Sequence, residues 1–364
     1  MKKTAARAKP KERALDGMTV LVTGGAGFIG SNFVRFLLAT YPNIRVVNLD
    51  KLTYAGNLDN LADLACDIRH EFIHGDIRDR ELVGPVLERV QGVFHFAAET
   101  HVDRSIVDAG EFILTDVFGT YVLLEALRRA PNVRFFIHVS TDEVYGSREK
   151  GFFKETDALS PSSPYAASKA GADRLAHAYR VTYGVPVMIV RPSNNYGPFQ
   201  FPEKLVPLTI LNLAERKPLP VYGRGANVRD WLYVEDHCEA IWRVVEKGRI
   251  GETYNVGGDN ERRNIDVVKV ICRVFAEETG APLAELEELI QFVPDRPGHD
   301  LRYAIDGSKV RNECGWAPAE TFETGLRKTV RWYLDNPAWV DGVRTGAYRD
   351  WLHKHYGSRR EETR

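Results

Sequence analysis

The sequence predicts an α/β protein, a doubly wound parallel sheet followed by a smaller C-terminal lobe. Three observations predict it. From residue 18 to about 190, short apolar runs alternate with amphipathic segments. A glycine-rich turn, Gly24-Gly25-Ala26-Gly27-Phe28-Ile29-Gly30, joins the first run to the first amphipathic segment. Beyond Arg191 the texture changes to loops rich in Pro, Gly and Asn, with short helices between them. Continuously apolar strands separated by helices need a sheet covered on both faces, and right-handed crossovers make that sheet doubly wound, the Rossmann-type arrangement.

The elements follow in order. Thr19-Val20-Leu21-Val22-Thr23 reads as a buried strand and residues 28–40 as a helix. Further strands are expected at 44–50, 71–74, 92–98, 134–140 and 187–190. After Arg191, loops at 191–198, 218–230 and 295–299 alternate with helices at 235–247 and 265–278. This gives a Rossmann domain over 18–191 and a smaller substrate-binding lobe over 192–345, some of whose segments can cross back. Residues 1–17 are basic and polar and read as a disordered extension; residues 346–364 read as a polar tail that frays.

Composition narrows the function classes. A chain of 364 residues, 44% hydrophobic, can bury a large core. Its formal net charge of -1 provides no global field for nucleic acid or a membrane surface. No apolar run is long enough to span a bilayer. Residues 1–17 lack the apolar middle of a secretory signal. The cysteines Cys66, Cys238, Cys272 and Cys314 are far apart, which suggests neither a disulfide framework nor a metal site and fits a reducing, cytoplasmic compartment.

The glycine turn points to a dinucleotide. Gly24 supplies a tight turn, Gly27 lets the backbone approach a pyrophosphate, and Gly30 permits close packing of helix on strand. The helix N-terminus attracts the phosphate charge. Asp50 ends the second strand, 20 residues beyond Gly30. A carboxylate there accepts hydrogen bonds from the adenosine ribose diol and repels a 2′-phosphate, so NAD is favoured over NADP; Lys51 beside it weakens the inference a little. Asp76 either approaches the adenine amino group or caps the helix that begins near Arg80.

A second constellation carries chemistry. Thr141, Asp142 and Glu143 follow an apolar strand. Tyr165 and Lys169, spaced i, i+4 on a helix started by Ser163-Pro164, share one face. An ammonium near a phenol lowers its pKa, which would let Tyr165 act as a base, and Lys169 can also donate to a nicotinamide ribose. A simple alcohol dehydrogenase has no use for two adjacent carboxylates; an enzyme that also eliminates water does. The acids could instead cap a helix or face solvent, and Thr141 could be a turn residue. Tyr145 reads as packing.

The glycine turn, His95-Phe96-Ala97-Ala98, Thr141-Asp142-Glu143-Val144-Tyr145-Gly146, Tyr165-x-x-x-Lys169 and Arg191-Pro192 together resemble the extended short-chain dehydrogenase/reductase family, and within it the nucleotide-sugar 4,6-dehydratases. The similarity runs from residue 18 to about 336. It implies oxidation of a hexose at carbon 4 by NAD, loss of water across carbons 5 and 6, and return of the hydride to carbon 6. Tyr165 would be the first base, Glu143 would take the carbon 5 proton, Asp142 would protonate the departing hydroxyl, and Thr141 would support Tyr165. The Asp142-Glu143 pair separates this reading from the epimerases, which usually carry small residues there.

The same resemblance places Phe28, Ile29, Lys51, Thr53, Ile77, Phe96, Ala97, Ala98, Thr115 and Asn195 against the cofactor. It assigns Arg229 to the substrate diphosphate, Asn194 and Thr100 to the sugar side, and Lys204, Leu205, Pro220, Val221, Tyr222, Asn264, Asp295, Arg296 and His299 to the nucleotide side. Arg296 could equally form a structural ion pair. The implied partner is a nucleotide sugar, dTDP-glucose before UDP-glucose, and a homodimer joined through helices at 115–129 and 165–183. A non-catalytic NAD-binding sensor is the rival of a different class. Two positions depart from the family pattern: Asp116 stands where Asn is usual, and Thr100 where Ser is frequent.

Overall fold

The computed structural model describes residues 15–344. Most of the expected extension, residues 1–14, and the tail at 346–364 lie outside the described residues. Residues 15–17 depart from the expected disorder. Leu15 is buried beside Met18 and Tyr41, and the Asp16 carboxylate accepts hydrogen bonds from the backbone and side chain of Asn43.

The first half of the chain forms β1 (Thr19–Thr23), β2 (Arg45–Asp50), β3 (His70–His74), β4 (Gly92–His95), β5 (Phe135–Val139) and β6 (Val187–Pro192). The chain then enters the lobe as β7 (Asn194–Tyr196), β8 (Leu219–Tyr222) and β9 (Val228–Tyr233). It crosses back as β10 (Thr253–Val256) and returns as β11 (Glu261–Arg263) and β12 (Ile290–Val293). Among the described residues the main sheet has seven strands in the order β10-β6-β5-β4-β1-β2-β3, paired parallel throughout. Six of these match expected strands. The seventh, β10, was not expected, because its four residues lie among loop-rich segments and only its pairing with β6 makes it a strand.

Side-chain alternation divides the core between the two faces. Val20 and Val22 point to one side, with Phe33, Phe94, Ile137 and Ile241. Leu21 points to the other, with Val47, Val93, Leu123 and Phe136. The lobe has its own core around Tyr196, Trp231, Phe275, Phe322 and Leu326, beside two small sheets, β11-β9-β7 and β12-β8. Strand order reverses between β1, which leads on to β2, and its other neighbour β4. A crevice therefore opens beyond the ends of β1 and β4, the place where open α/β sheets bind ligands. The lobe covers that crevice, because β7 follows β6 after a single residue, Ser193.

Candidate active site

At the cofactor end, the backbone geometry requires glycine. Gly24 has φ +73, and a Cβ on it would lie 2.6 Å from the Ala97 nitrogen. A Cβ on Gly30 would lie 2.2 Å from the Gly24 carbonyl oxygen. Gly27 caps the Phe28–Thr40 helix without a side-chain hydrogen bond, and the first turn carries no acid. Its N–H groups therefore face the cleft with a favourable dipole for an anion. The residues present fit a dinucleotide.

Asp50 ends β2 with its carboxylate fixed by the backbone N–H groups of Ala26, at 2.9 Å, and Leu52, at 2.8 Å. Burial pushes its pKa up, against those two hydrogen bonds. Lys51 is engaged by Asp76 at 3.0 Å, so it is not turned toward a 2′-phosphate. Asp76 is not the cap of the following helix. Asp79 caps the Arg80–Glu88 helix, while Asp76 lines the cleft and pairs with Lys51 and Arg78. Phe28, Ile29, Thr53, Ile77, Phe96, Ala97, Ala98, Thr115 and Asn195 line the same cleft.

Further along it are Thr141, Asp142, Glu143, Tyr165 and Lys169. Thr141 caps a short 3₁₀ turn, Asp142–Tyr145, accepting from the Glu143 N–H at 3.3 Å. The turn directs the two carboxylates into different surroundings. Asp142 is buried, while Glu143 is partly open to the cleft. Desolvation, then the charges of Glu143 and Asp230, push the Asp142 carboxyl well above its ordinary pKa. The Ser163 hydroxyl caps the Pro164–Tyr183 helix, and this helix carries Tyr165 and Lys169. The Thr141 hydroxyl hydrogen-bonds the Tyr165 phenol.

The net direction of the Tyr165 pKa is upward. Burial, then Glu143 and Asp116, push the phenol well above its ordinary value. Lys169 donates to the Val139 carbonyl at 2.8 Å, and burial pushes its own pKa down. Desolvation and the carboxylates outweigh the ammonium.

Thr100, Asn194 and Lys204 also line the cleft, and the Lys204 ammonium donates to the Thr100 carbonyl at 2.9 Å. Arg229 is buried, stacks 4.1 Å from the Tyr303 ring and donates to the Asp300 carbonyl at 2.9 Å; its charge is felt by both Asp142 and Glu143. Arg296 does form an ion pair, with Asp103 at 3.1 Å, and Asp103 also accepts from the Tyr222 hydroxyl at 3.0 Å. Its charge nonetheless reaches Glu143, so a structural pair and a site position coincide. His299 sits against Asp295 at 2.6 Å and edge-on to Tyr222. Pro220 pairs with Gln291 between β8 and β12, and the Asn264 backbone N–H bonds to the Asn227 carbonyl. Leu205 packs partly, and Val221 fully, into the lobe core, which leaves the Val221 backbone alone for a ligand.

Four residues at the site were missed. Glu99 and Glu203 line the cleft, Glu203 paired with Arg104 at 3.1 Å. Asp103 anchors Arg296. The Tyr303 hydroxyl lies 3.5 Å from Glu143 Oε2 and donates to Asp300 at 2.6 Å. Glu203 had a signal, its position next to Lys204. Tyr303 had none.

The family described as GDP-mannose 4,6 dehydratase matches residues 21–329. A dTDP-glucose 4,6-dehydratase of Xanthomonas campestris pv. campestris (strain B100) is 56% identical over 346 residues, covering 91% of this chain and 97% of the relative. The chain belongs to the dTDP-glucose 4,6-dehydratase family. A Salmonella typhimurium member is 50% identical, across 94% of this chain and all of the relative. The crystal structure of a third member, DesIV from Streptomyces venezuelae with NAD and TYD bound, superposes with a TM-score of 0.84 at 49% identity, covering 90% of this chain and all of that one. The likeness extends over both the sheet and the lobe. Among the described residues no cluster of His, Cys, Asp and Glu could hold a metal ion, and no helix is long and apolar enough to cross a membrane.

Proposed function

We propose that this protein is an NAD-dependent dTDP-glucose 4,6-dehydratase, a hydro-lyase that gives dTDP-4-keto-6-deoxyglucose. One observation carries the reading: a buried Asp142 whose pKa is pushed up, a more open Glu143 and the Tyr165 phenol share one cleft with the glycine turn. An epimerase or a simple dehydrogenase has no work for that acid pair.

Gly24, Gly27, Gly30 and Asp50 hold NAD, with Lys169 free to give further hydrogen bonds to the nicotinamide ribose beyond the one to Val139. Bound NAD would supply a store for the hydride taken from carbon 4 and returned to carbon 6. Tyr165, hydrogen-bonded by Thr141, takes the proton of the carbon 4 hydroxyl as the ketone forms. The ketone acidifies carbon 5, and Glu143 removes that proton. Asp142 delivers its proton to the carbon 6 hydroxyl, which leaves as water. Glu143 returns its proton to carbon 5 as carbon 6 receives the hydride, Tyr165 releases its proton to water and Asp142 takes one up, so the sugar has lost one water and keeps its oxidation level overall. Two adjacent carboxyls can perform opposite tasks because burial pushes the Asp142 carboxyl up, while Glu143 stays partly open to the cleft.

Arg229 serves the diphosphate end, where a guanidinium fork suits the geometry. Asn194 and Thr100 serve the sugar, and Lys204 and Arg296 the nucleotide side. A homodimer belongs to the same reading. Phe118, Val181 and Tyr183 are exposed on the two helical segments expected to pair between copies, and Ile113 and Leu114 are exposed just before the first. A cytoplasmic location fits the free cysteines.

The test is incubation of purified protein with dTDP-glucose and, separately, with UDP-glucose and GDP-mannose, followed by alkali to reveal 4-keto sugars by absorbance. A 4-keto product from dTDP-glucose above the others is expected. Firmly bound NAD with no 4-keto product from any of the three would defeat the reading.

A further inference from the structure

Asp116 is a carboxylate in a place where nothing above gives it work. It sits at the centre of a π-helical stretch, Ile113–Gly119, and is 1% exposed. Such stretches re-aim side chains and recur at functional sites. Here the turn lets one carboxyl reach two other elements. Oδ1 accepts from the Glu99 N–H at 2.9 Å, just after β4, and Oδ2 lies 2.6 Å from the Ser168 hydroxyl on the helix of Tyr165 and Lys169.

Ser168 has one hydroxyl proton and two acceptors in range: Asp116 Oδ2 at 2.6 Å and the Tyr165 carbonyl at 2.8 Å. With an ionised Asp116 both bonds cannot be made in full. With a neutral Asp116 each group has one role. The Glu99 N–H donates to Oδ1, the Asp116 O–H donates to Ser168, and Ser168 donates to the Tyr165 carbonyl.

On the strength of the function proposed above, we propose that Asp116 is a proton-switched positioning residue. When neutral it closes a hydrogen-bond chain from Glu99 to the backbone of Tyr165; when ionised it opens that chain and sets a negative charge against the Tyr165 phenol.

The charged groups around it are mixed. Lys169 on the catalytic helix favours the ion, while Glu99, on the segment after β4, faces it as a like charge. Glu111 and Arg78 lie beyond Glu99. Burial pushes Asp116 up to about 6 and Glu99 up to about 7, so the switch falls in a working range. Asp116 raises the phenol pKa, as do Glu143 and Asp142.

Asn at this position would reproduce the neutral form, accepting through its oxygen and donating through its amide. The experiment therefore compares wild type with Asp116→Asn in the NAD-loaded protein. The Tyr165 phenol is titrated by tyrosinate absorbance, as the difference from matched Tyr165→Phe proteins. The expected result is a phenol that titrates about half a pH unit lower in Asp116→Asn. In the pH profile for dTDP-glucose the rising limb of kcat/KM moves down equally, giving about threefold higher kcat/KM at its foot with little change in KM. Coincident phenol titrations in the two proteins overturn the proposal. If Asp116→Asn does not fold, Asp116→Ser removes the same charge and is read in the same way. The titration needs no turnover. A shifted phenol in protein that never converts dTDP-glucose removes the proposed function and leaves this role standing; normal turnover with unshifted titrations does the reverse.

Discussion

The Tyr303 hydroxyl lies 3.5 Å from Glu143 Oε2, joining a carboxylate at the end of the main sheet to a segment 160 residues away. The same hydroxyl donates to Asp300, which also accepts from Ser162. Its single proton goes to Asp300, so Glu143 has in this hydroxyl a close polar neighbour from the covering segment. Tyr303→Phe keeps the ring under Arg229 and removes only the hydroxyl. The expected outcome is a kcat lower by about tenfold or more, with KM nearly unchanged, in steady-state kinetics with dTDP-glucose. Unchanged kcat would mean the contact plays no part in turnover.

Glu143→Gln and Tyr165→Phe are expected to stop the reaction at different points. Glu143→Gln spares oxidation at carbon 4, so NADH absorbance should build up after mixing with dTDP-glucose. Tyr165→Phe removes the first base, so no NADH should form and turnover should fall by about a hundredfold or more. Stopped-flow absorbance separates the two; NADH build-up in Tyr165→Phe would reassign the first base.

Gly24→Ala puts a Cβ 2.6 Å from the Ala97 nitrogen at a residue with φ +73. The backbone of the glycine turn must shift. Weaker NAD binding, by about tenfold or more in a fluorescence titration, is expected together with a stability loss above about 1 kcal/mol. Native affinity would show that the turn tolerates the shift.

Arg191 and Asp173 form a fully buried ion pair at 2.8 Å, with the Tyr145 hydroxyl accepting from Arg191 at 2.6 Å. Burial alone would raise the Asp173 pKa; hydrogen bonding and charge from Arg191, helped by Arg174, override it and hold the carboxyl at about 2. Asp173→Asn strands a buried guanidinium and should lower stability by about 3–5 kcal/mol in denaturant unfolding. The folded pKa is depressed, so this stabilisation is complete above the ordinary aspartate value and is lost as pH falls through about 2. Acid unfolding of the variant should lack that component; equal stability at neutral pH would contradict the pair's role.

His138 and His237 are fully buried, and burial pushes both down to about 3. The unfolded chain takes up these protons near the ordinary value of 6.5, and the folded chain does not. Stability should therefore fall as pH drops from about 6.5 toward 3. His138→Gln is expected to flatten that slope in thermal melts at a series of pH values, and an unaltered slope would place the effect elsewhere.

Local patterns were legible because their cause is local. Apolar runs of strand length, the spacing of Gly24, Gly27 and Gly30, and the i, i+4 spacing of Tyr165 and Lys169 are fixed by backbone geometry within a few residues. The strands β1 to β6 and the cofactor residues from Gly24 to Asn195 follow from these patterns, read with the family likeness. The strand β10 did not, since Thr253–Val256 is too short to show a period of its own. Tyr303 did not, since nothing near it in the chain marks it as a neighbour of Glu143.

By itself the sequence determined the class of sheet, the dinucleotide turn and the side chains available for proton transfer. Tertiary structure decided their states. It buried Asp142 more deeply than Glu143, turned Lys169 toward the Val139 carbonyl and set Asp116 between Glu99 and Ser168. A side chain's identity is written in the chain, but its pKa depends on how much water is removed and which charges are brought near, and only packing sets those.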